Sequence, residues 1–374
     1  MIATRYLARH ILAQTAAAAL IITIVYLSFD FLESYRLLAR LGDGLPRVLA
    51  YLQDRGAAAL WYALPGALLA GGCLALSGLA QRGELTALFA AGFSPKRILA
   101  VTLAVGALVA AAGYCIGELW MPHAQSRIHA VFRRALSGAQ EGGPARGRWL
   151  RQGRTFLYMG TPGRNIDEAA NVTLFELDGA FHPARRIDAE RMRWQGTAWH
   201  LEGARVRRFH AQARPGAPDP HASVQGHTSI IAPIDAPPER LRADLGRPDG
   251  LSVGELRAMV GWKKREGQDA AAFEEALSER LAWPLLSLLL PLVLVPIVLR
   301  TRASGAALAL GRAFLVALGC GVMMFVGQTL GRSSTLASWA VPWLAPGALL
   351  LAGALATLVL FLKRRRSTSS QRST

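Results

Sequence analysis

Six long apolar runs constrain this chain more than any other feature: Ile11–Phe29, Ala57–Ala80, Ile98–Leu119, Ala282–Leu299, Ala307–Leu330 and Trp339–Leu362. A helix needs roughly 20 apolar residues to cross a bilayer. Hydrocarbon offers no partner to a free backbone amide or carbonyl, so each run is read as an α-helix that satisfies its own backbone. The chain is 52% hydrophobic and only 18% charged over 374 residues, too apolar for a water-soluble protein of this length. The first run is too long for a signal peptide and lacks a small-residue cleavage site, so it reads as a retained anchor.

Lysine and arginine near the span ends set the orientation. With the N-terminus inside, the inner segments carry Arg5 and Arg9, then Arg82, Lys96 and Arg97, then Arg300 and Arg302, then the run Lys363–Arg366. Both termini are therefore expected in the cytoplasm. The first outer segment also holds Arg36, Arg40, Arg47 and Arg55, and these need a separate explanation. The net charge of +17 suits anionic lipid. With so much apolar sequence, no nucleic acid partner is expected.

The long segment between the third and fourth runs has a different texture. "RWLRQGRTFLYMG", "NVTLFELDG", "RMRWQGTAWHLEGARVRRF" and "SVQGHTSIIAPI" are short β-branched and aromatic stretches punctuated by Gly, Pro, Asn and Asp. That spacing predicts a sandwich or barrel-like β domain. Gln195–Ala198, between Trp194 and Trp199, reads as a hairpin connection, and 215–220 as a loop. Ser252 followed by Glu255 fits a helix capping box. Four regions result: residues 1–125 with three spans, 126–250 as the β domain, 251–281 as a helical connector, and 282–374 with three more spans and a basic tail.

Catalytic signatures are missing from the sequence. It has no GxxxxGK[ST] loop to cradle nucleotide phosphates, no HExxH and no GxSxG. Cys73, Cys115 and Cys320 all fall in apolar runs and read as small core residues of helices, without CxxC spacing for a metal. Glu118, His123 and His129 match no standard metal site and read as an interfacial linker. Asn171-Val172-Thr173 is a formal glycosylation triplet of little weight. Arg312, about a turn into the fifth run, can snorkel to the surface. With no carboxylates deep in the spans, a proton-coupled transporter is disfavoured. Arg36 and Arg40, four residues apart on one helix face, could anchor at the interface or form a cationic collar for an anionic head group.

The stretch "GELTALFAAGFSPKRIL", residues 83–99, is over-built for a turn between two spans. Glu84 to Ala91 is expected to form a short helix along the membrane surface. Gly92 supplies its C-cap and Pro95 stops it. Leu85, Leu88 and Phe89 would offer apolar contact, and Glu84 a charge, to a cytoplasmic partner. A scaffold that transports nothing would not need such a knob.

These segments resemble the LptF/LptG family, permease subunits of the lipopolysaccharide exporter of Gram-negative bacteria. The resemblance rests on "RYLARHIL", "LAQRGELTALFAAGFSPKRIL", "GELWMP" and "ERLAWPLLSLLLPLVLVPI", and covers almost the whole chain. "GELWMP" with "GRWLRQGRTFLYMG" is more similar to the G branch (LptG) than to the F branch. Arg36 matches one of the basic positions of that branch, whereas Asp30 and Leu37 stand at others.

The resemblance implies an α-helical integral membrane protein with six transmembrane helices and an inserted periplasmic β-jellyroll-like domain. Its place would be the bacterial inner membrane. Its partners would be the paralogous permease LptF, two copies of the cytoplasmic ATPase LptB, the periplasmic bridge protein LptC, and lipopolysaccharide. The chain would be no enzyme and hold no cofactor, with ATP and magnesium bound by the ATPase. Glu84, Leu85, Leu88, Phe89 and Gly92 would dock that ATPase. Arg36 and Arg40 would meet the lipopolysaccharide head group, and the first and fifth spans would line a lateral opening.

Overall fold

A computed structural model describes residues 2–39, 44–137, 148–162, 167–209, 224–234, 236–238, 241, 248–300, 305–332 and 336–370. The chain divides into two compact units. The first comprises 1–132, 252–256 and 271–374, and the second 133–251 and 257–270.

The first unit is helical. Its elements are α1 (Ile2–Ala39), α2 (Gly44–Gln81), α3 (Glu84–Ala90), α4 (Pro95–Cys115), a π-turn (Ile116–Trp120) and α5 (Met121–Ser137), whose end passes into the second unit. After the insertion come α6 (Val253–Arg265), shared between the units, then α7 (Ala271–Leu289), α8 (Pro291–Arg300), α9 (Gly305–Arg332), a 3-10 turn (Ser338–Trp343) and α10 (Leu344–Ser370). Among the described residues, six helical segments are long and apolar enough to cross a membrane, one at each predicted run.

Two spans differ from the simple reading. The third is continuous with α5, so the stretch expected to be a linker after Leu119 is helix to Ser137. The fourth is interrupted at Leu290, although helix runs into it without a break from Ala271, as the helical stretch leading into that run implies. Pro291 has no N–H to continue the helix ladder, so α7 stops there and α8 starts.

Burial ranks the spans. α2 and the α7–α8 segment are mostly enclosed, whereas α1 and α9 are mostly exposed. Leu7, Ile11, Leu68, Leu76, Leu79, Ile98, Leu294 and Val298 form the apolar core. α1 lies so close on α2 that a Cβ at Gly71 would stand 2.5 Å from the Thr15 backbone. Such small-residue contacts drive helix association where lipid competes equally for apolar side chains. Cys73 is buried in this core, while Cys115 is exposed.

Among the described residues, the second unit contains one antiparallel sheet in the order β1-β2-β3-β4-β5-β6, so consecutive strands are neighbours. The strands are β1 (Arg148–Gln152), β2 (Thr155–Pro162), β3 (Glu168–Leu177), β4 (Pro183–Trp194), β5 (Trp199–Arg208) and β6 (Val224–Ile231). The β4–β5 hairpin turns at Gln195–Ala198, with Trp194 paired to Trp199 and Gly196 at φ 74. The predicted loop 215–220 lies outside the described residues.

A crease crosses this sheet. Pairing is interrupted along one line: Gly160 and Asn171 are skipped between β2 and β3, Asn171 and Glu190 between β3 and β4, and Glu190 and Gly203 fall in the gap between β4 and β5. Along that line the buried side of each strand switches parity: Val172 and Leu174 give way to Ala169, Ile187 and Ala189 to Met192, and Val206 and Ala204 to Leu201 and Trp199. Asn171 (φ 54) and Gly203 (φ 62) adopt the left-handed conformation that permits the switch. Asn171 therefore has a backbone role, Asn being one of the few side chains that tolerate it. All these apolar residues belong to one core, in which the Trp199 indole donates to the Ala236 carbonyl at 2.7 Å.

The β3–β4 turn is tied by Asp178, whose Oδ1 accepts the amides of Ala180 (2.8 Å) and His182 (2.9 Å). The hydrogen bond from the His182 amide, then that from Ala180, holds this carboxyl below the ordinary aspartate range.

Candidate functional site

The stretch 83–99 forms a short helix between two sharp corners. Gly83 (φ 76) precedes α3 and Gly92 (φ 84) follows it, both in conformations that favour glycine. Beyond Gly92, the Phe93 amide donates back to the Leu88 carbonyl at 2.9 Å and closes the helix. Ser94 then caps α4, accepting from the Arg97 amide at 3.3 Å, with Pro95 at the first helical position.

Leu85 is 1% exposed and sits in the apolar core, with Leu88 and Phe89 partly buried against it. Leu85 thus seats α3 on its own protein and does not present a face outward, because the helix must bury one apolar side to stay folded at seven residues. The exposed positions are Thr86, Ala87, Ala90, Ala91 and Gly92, a low ridge of small side chains. Lys96 and Arg97 are exposed beside it, and the Arg97 guanidinium lies 5.1 Å from the Phe93 ring centre. Oε2 of Glu84 accepts a 2.8 Å hydrogen bond from the Tyr6 hydroxyl of α1.

A polar cluster joins α1 to α2 near the other end of α1. Asp30, 8% exposed, accepts from the Tyr51 hydroxyl at 2.6 Å and pairs with the Arg55 guanidinium at 2.6 Å. Ser34 meets the same Tyr51 hydroxyl at 2.9 Å. One turn along α2, Asp54 accepts from Arg127 of α5 at 2.9 Å. The residues Tyr51, Asp54 and Arg55 thus tie α2 to α1 and α5 through hydrogen bonds and ion pairs. Their i, i+3, i+4 spacing is visible in the sequence, but their partners are not. One of the outer arginines, Arg55, is explained by Asp30.

Arg36 is in the last turns of α1, but its side chain and the whole of Arg40 lie outside the described residues. Arg312 is exposed on α9. Glu118, His123 and His129 do not converge. Glu118 accepts the Val253 amide at 2.9 Å, and the His123 ring pairs with the Leu119 carbonyl at 3.1 Å. Among the described residues, no three His, Cys, Asp or Glu side chains are grouped to hold a metal. The capping box is present, with the Ser252 amide donating to Glu255 at 2.8 Å and the Glu255 amide to Ser252 Oγ at 3.3 Å.

Sequence reasoning also missed Arg280. It lies in α7, is 6% exposed, and donates to the carbonyl of Gly117 in the π-turn. The only available cue was its place just before "LAWPLL".

Residues 5–363 match the family model described as the lipopolysaccharide export system permease LptF/LptG. The chain is similar to the lipopolysaccharide export system permease protein LptG of Escherichia coli (strain K12), 24% identical over 246 residues. That match covers 66% of this chain and 65% of the relative, slightly under two thirds of its length. It is also 24% identical over 279 residues to the protein of the same name from Haemophilus influenzae, covering 73% of this chain and 74% of that relative.

Proposed function

Since the chain belongs to the LptF/LptG family of lipopolysaccharide export permeases, we propose that it is a permease subunit that extracts lipopolysaccharide from the inner membrane, driven by a separate cytoplasmic ATPase. The observation that carries this reading is α3, a short helix anchored by Leu85, exposed along Thr86, Ala87, Ala90 and Ala91, and joined to α1 through Glu84 and Tyr6. A push on that ridge reaches the first span directly. The small side chains let a partner's groove close tightly over the helix. Of the residues expected to dock, Glu84 and Gly92 remain at the surface, while Leu85, Leu88 and Phe89 hold the knob in place.

The chain works with a paralogous permease and two copies of the ATPase, which bind ATP and magnesium. A periplasmic bridge protein receives the lipid. The exposed apolar faces of α1 and α9, including Leu20, Ile21, Phe29, Phe314, Leu315 and Phe325, suit a second permease and acyl chains. An amphiphile with several acyl chains cannot leave a bilayer unaided, since each buried methylene contributes about 0.8 kcal/mol. Arg36 and Arg40 serve as head-group contacts. Asp30 does not cancel them, because Arg55 already takes up its charge. The names of the relatives favour the G branch.

The test is co-purification of the tagged chain from its native membrane, followed by lipopolysaccharide-dependent ATP hydrolysis and export. A P-loop ATPase and a second six-span permease should come with it, and Glu84→Lys should abolish export. Recovery of the chain alone, or full coupled activity in Glu84→Lys, sinks the reading in favour of a membrane-anchored scaffold.

A further inference from the structure

Arg280 lies in a segment apolar enough to cross a membrane, yet it is enclosed in the protein. A guanidinium cannot lose its charge, and charges in such segments are costly and tend to mark function. Its Nη1 donates to the Gly117 carbonyl, and its guanidinium carbon is 5.8 Å from the Trp61 ring centre. Gly117 belongs to the π-turn Ile116–Trp120, where the widened i→i+5 pattern disturbs the regular carbonyl pairing. A Cβ on residue 117 would stand 2.8 Å from Trp61 Nε1, so the close approach needs glycine. Trp61 Nε1 is itself buried without an acceptor among the described residues. The Trp283 indole donates to the Trp61 carbonyl at 3.0 Å, and the two rings stack 5.7 Å apart.

The neighbouring residue extends the joint. Glu118 holds the Val253 amide at 2.9 Å, at the start of α6. Gly117 and Glu118 lie on the chain leaving for the inserted β region, and Val253 on the chain returning from it. Both connections are fastened to each other through Glu118 and to the fourth span through Arg280. Second-span Trp61 packs against the same point.

From this geometry we infer that Arg280 is a positioning residue, which fixes the π-turn at Gly117 so that movement of the fourth span reaches both chain connections of the inserted region. This rests on the permease reading. It adds a route by which work done in the membrane reaches the β region, and requires no contact of Arg280 with lipopolysaccharide or ATP.

The test uses the full-length chain with its co-purified partners in nanodiscs containing lipopolysaccharide. Wild type, Arg280→Met, Arg280→Lys and Glu118→Gln are compared by amide hydrogen exchange, ATP hydrolysis and lipopolysaccharide release. In Arg280→Met, exchange should quicken roughly 10- to 100-fold at 116–121 and 253–256 while 68–76 in α2 is unchanged. Release per ATP hydrolysed should fall about tenfold or more on the same grounds, and Arg280→Lys should restore most of it. Glu118→Gln should quicken exchange at 253–256 alone. The inference is overturned if exchange at 116–121 is unchanged in Arg280→Met, if it quickens equally in α2, or if hydrolysis falls in step with release. Should the wild-type assembly release no lipopolysaccharide, the permease reading fails, and the exchange pattern alone decides whether Arg280 holds the joint.

Discussion

The hydroxyl of Tyr6 donates to Oε2 of Glu84 at 2.8 Å, joining the first turns of α1 to the first residue of α3. The short helix and the first span thus share one polar link. Because Tyr6 is exposed and Glu84 only half-buried, the link contributes little to stability.

Tyr6→Phe should leave folding and ATPase binding intact but lower export per ATP hydrolysed by about 2- to 10-fold, the range expected from one ordinary hydrogen bond. Parallel measurement of hydrolysis and release checks this. Equal ratios in variant and wild type would show that the link transmits nothing.

The two sides of α3 should respond differently. Leu85→Ala empties a core position and should cost about 2–5 kcal/mol, read as a lower melting temperature in detergent. Ala87→Arg changes an exposed position and should leave melting nearly unchanged while removing the ATPase from the purified assembly. If Ala87→Arg retains the ATPase, the exposed ridge is not the docking face.

Asp30 and Arg55 should be coupled. Asp30→Asn and Arg55→Gln each leave a partly enclosed group without its partner, at a cost of about 1–3 kcal/mol. A double-mutant cycle should return a coupling of about 0.5–3 kcal/mol, since the residues are in direct contact. Additive losses would mean that each acts separately.

The crease in the sheet predicts a position-specific cost. Gly203→Val forces a β-branched residue to φ 62 and places its Cβ about where Glu190 Cδ lies 3.0 Å away, so about 1–2 kcal/mol or more should be lost. Asn171→Gly, at the same line, should be nearly neutral. Thermal unfolding of both variants decides; equal effects would show that backbone conformation does not control the site.

The turn at Asp178 should be sensitive to acid. Its carboxyl is held below the unfolded value of about 3.9, so its contribution is complete above that pH. It is lost as pH falls through the lower folded value. Amide exchange at Ala180 and His182, corrected for its intrinsic pH dependence, should speed up in that window in wild type. Asp178→Asn should lack the transition. A transition common to both would implicate another group.

Much of the architecture is local in origin and could be read along the chain. Apolar length sets the six spans. Alternation with Gly and Asn punctuation sets the strands, and Gly83, Gly92 and Pro95 bracket α3 wherever the chain lies. The capping box at Ser252 and Glu255 is similarly contained within four residues. What could not be read in this way was the facing of side chains. Leu85, Leu88 and Phe89 look equally available in the sequence, yet packing buries Leu85 and leaves the alanines outside. A span that is apolar all round carries no stripe to mark its buried side, so the central place of α2 and the exposure of α1 and α9 were not marked either. The pairings of Asp30 with Arg55, Glu84 with Tyr6 and Arg280 with Gly117 link residues 25, 78 and 163 positions apart. Local propensity has no range at such distances, and only the packed helices bring each donor within reach of its acceptor.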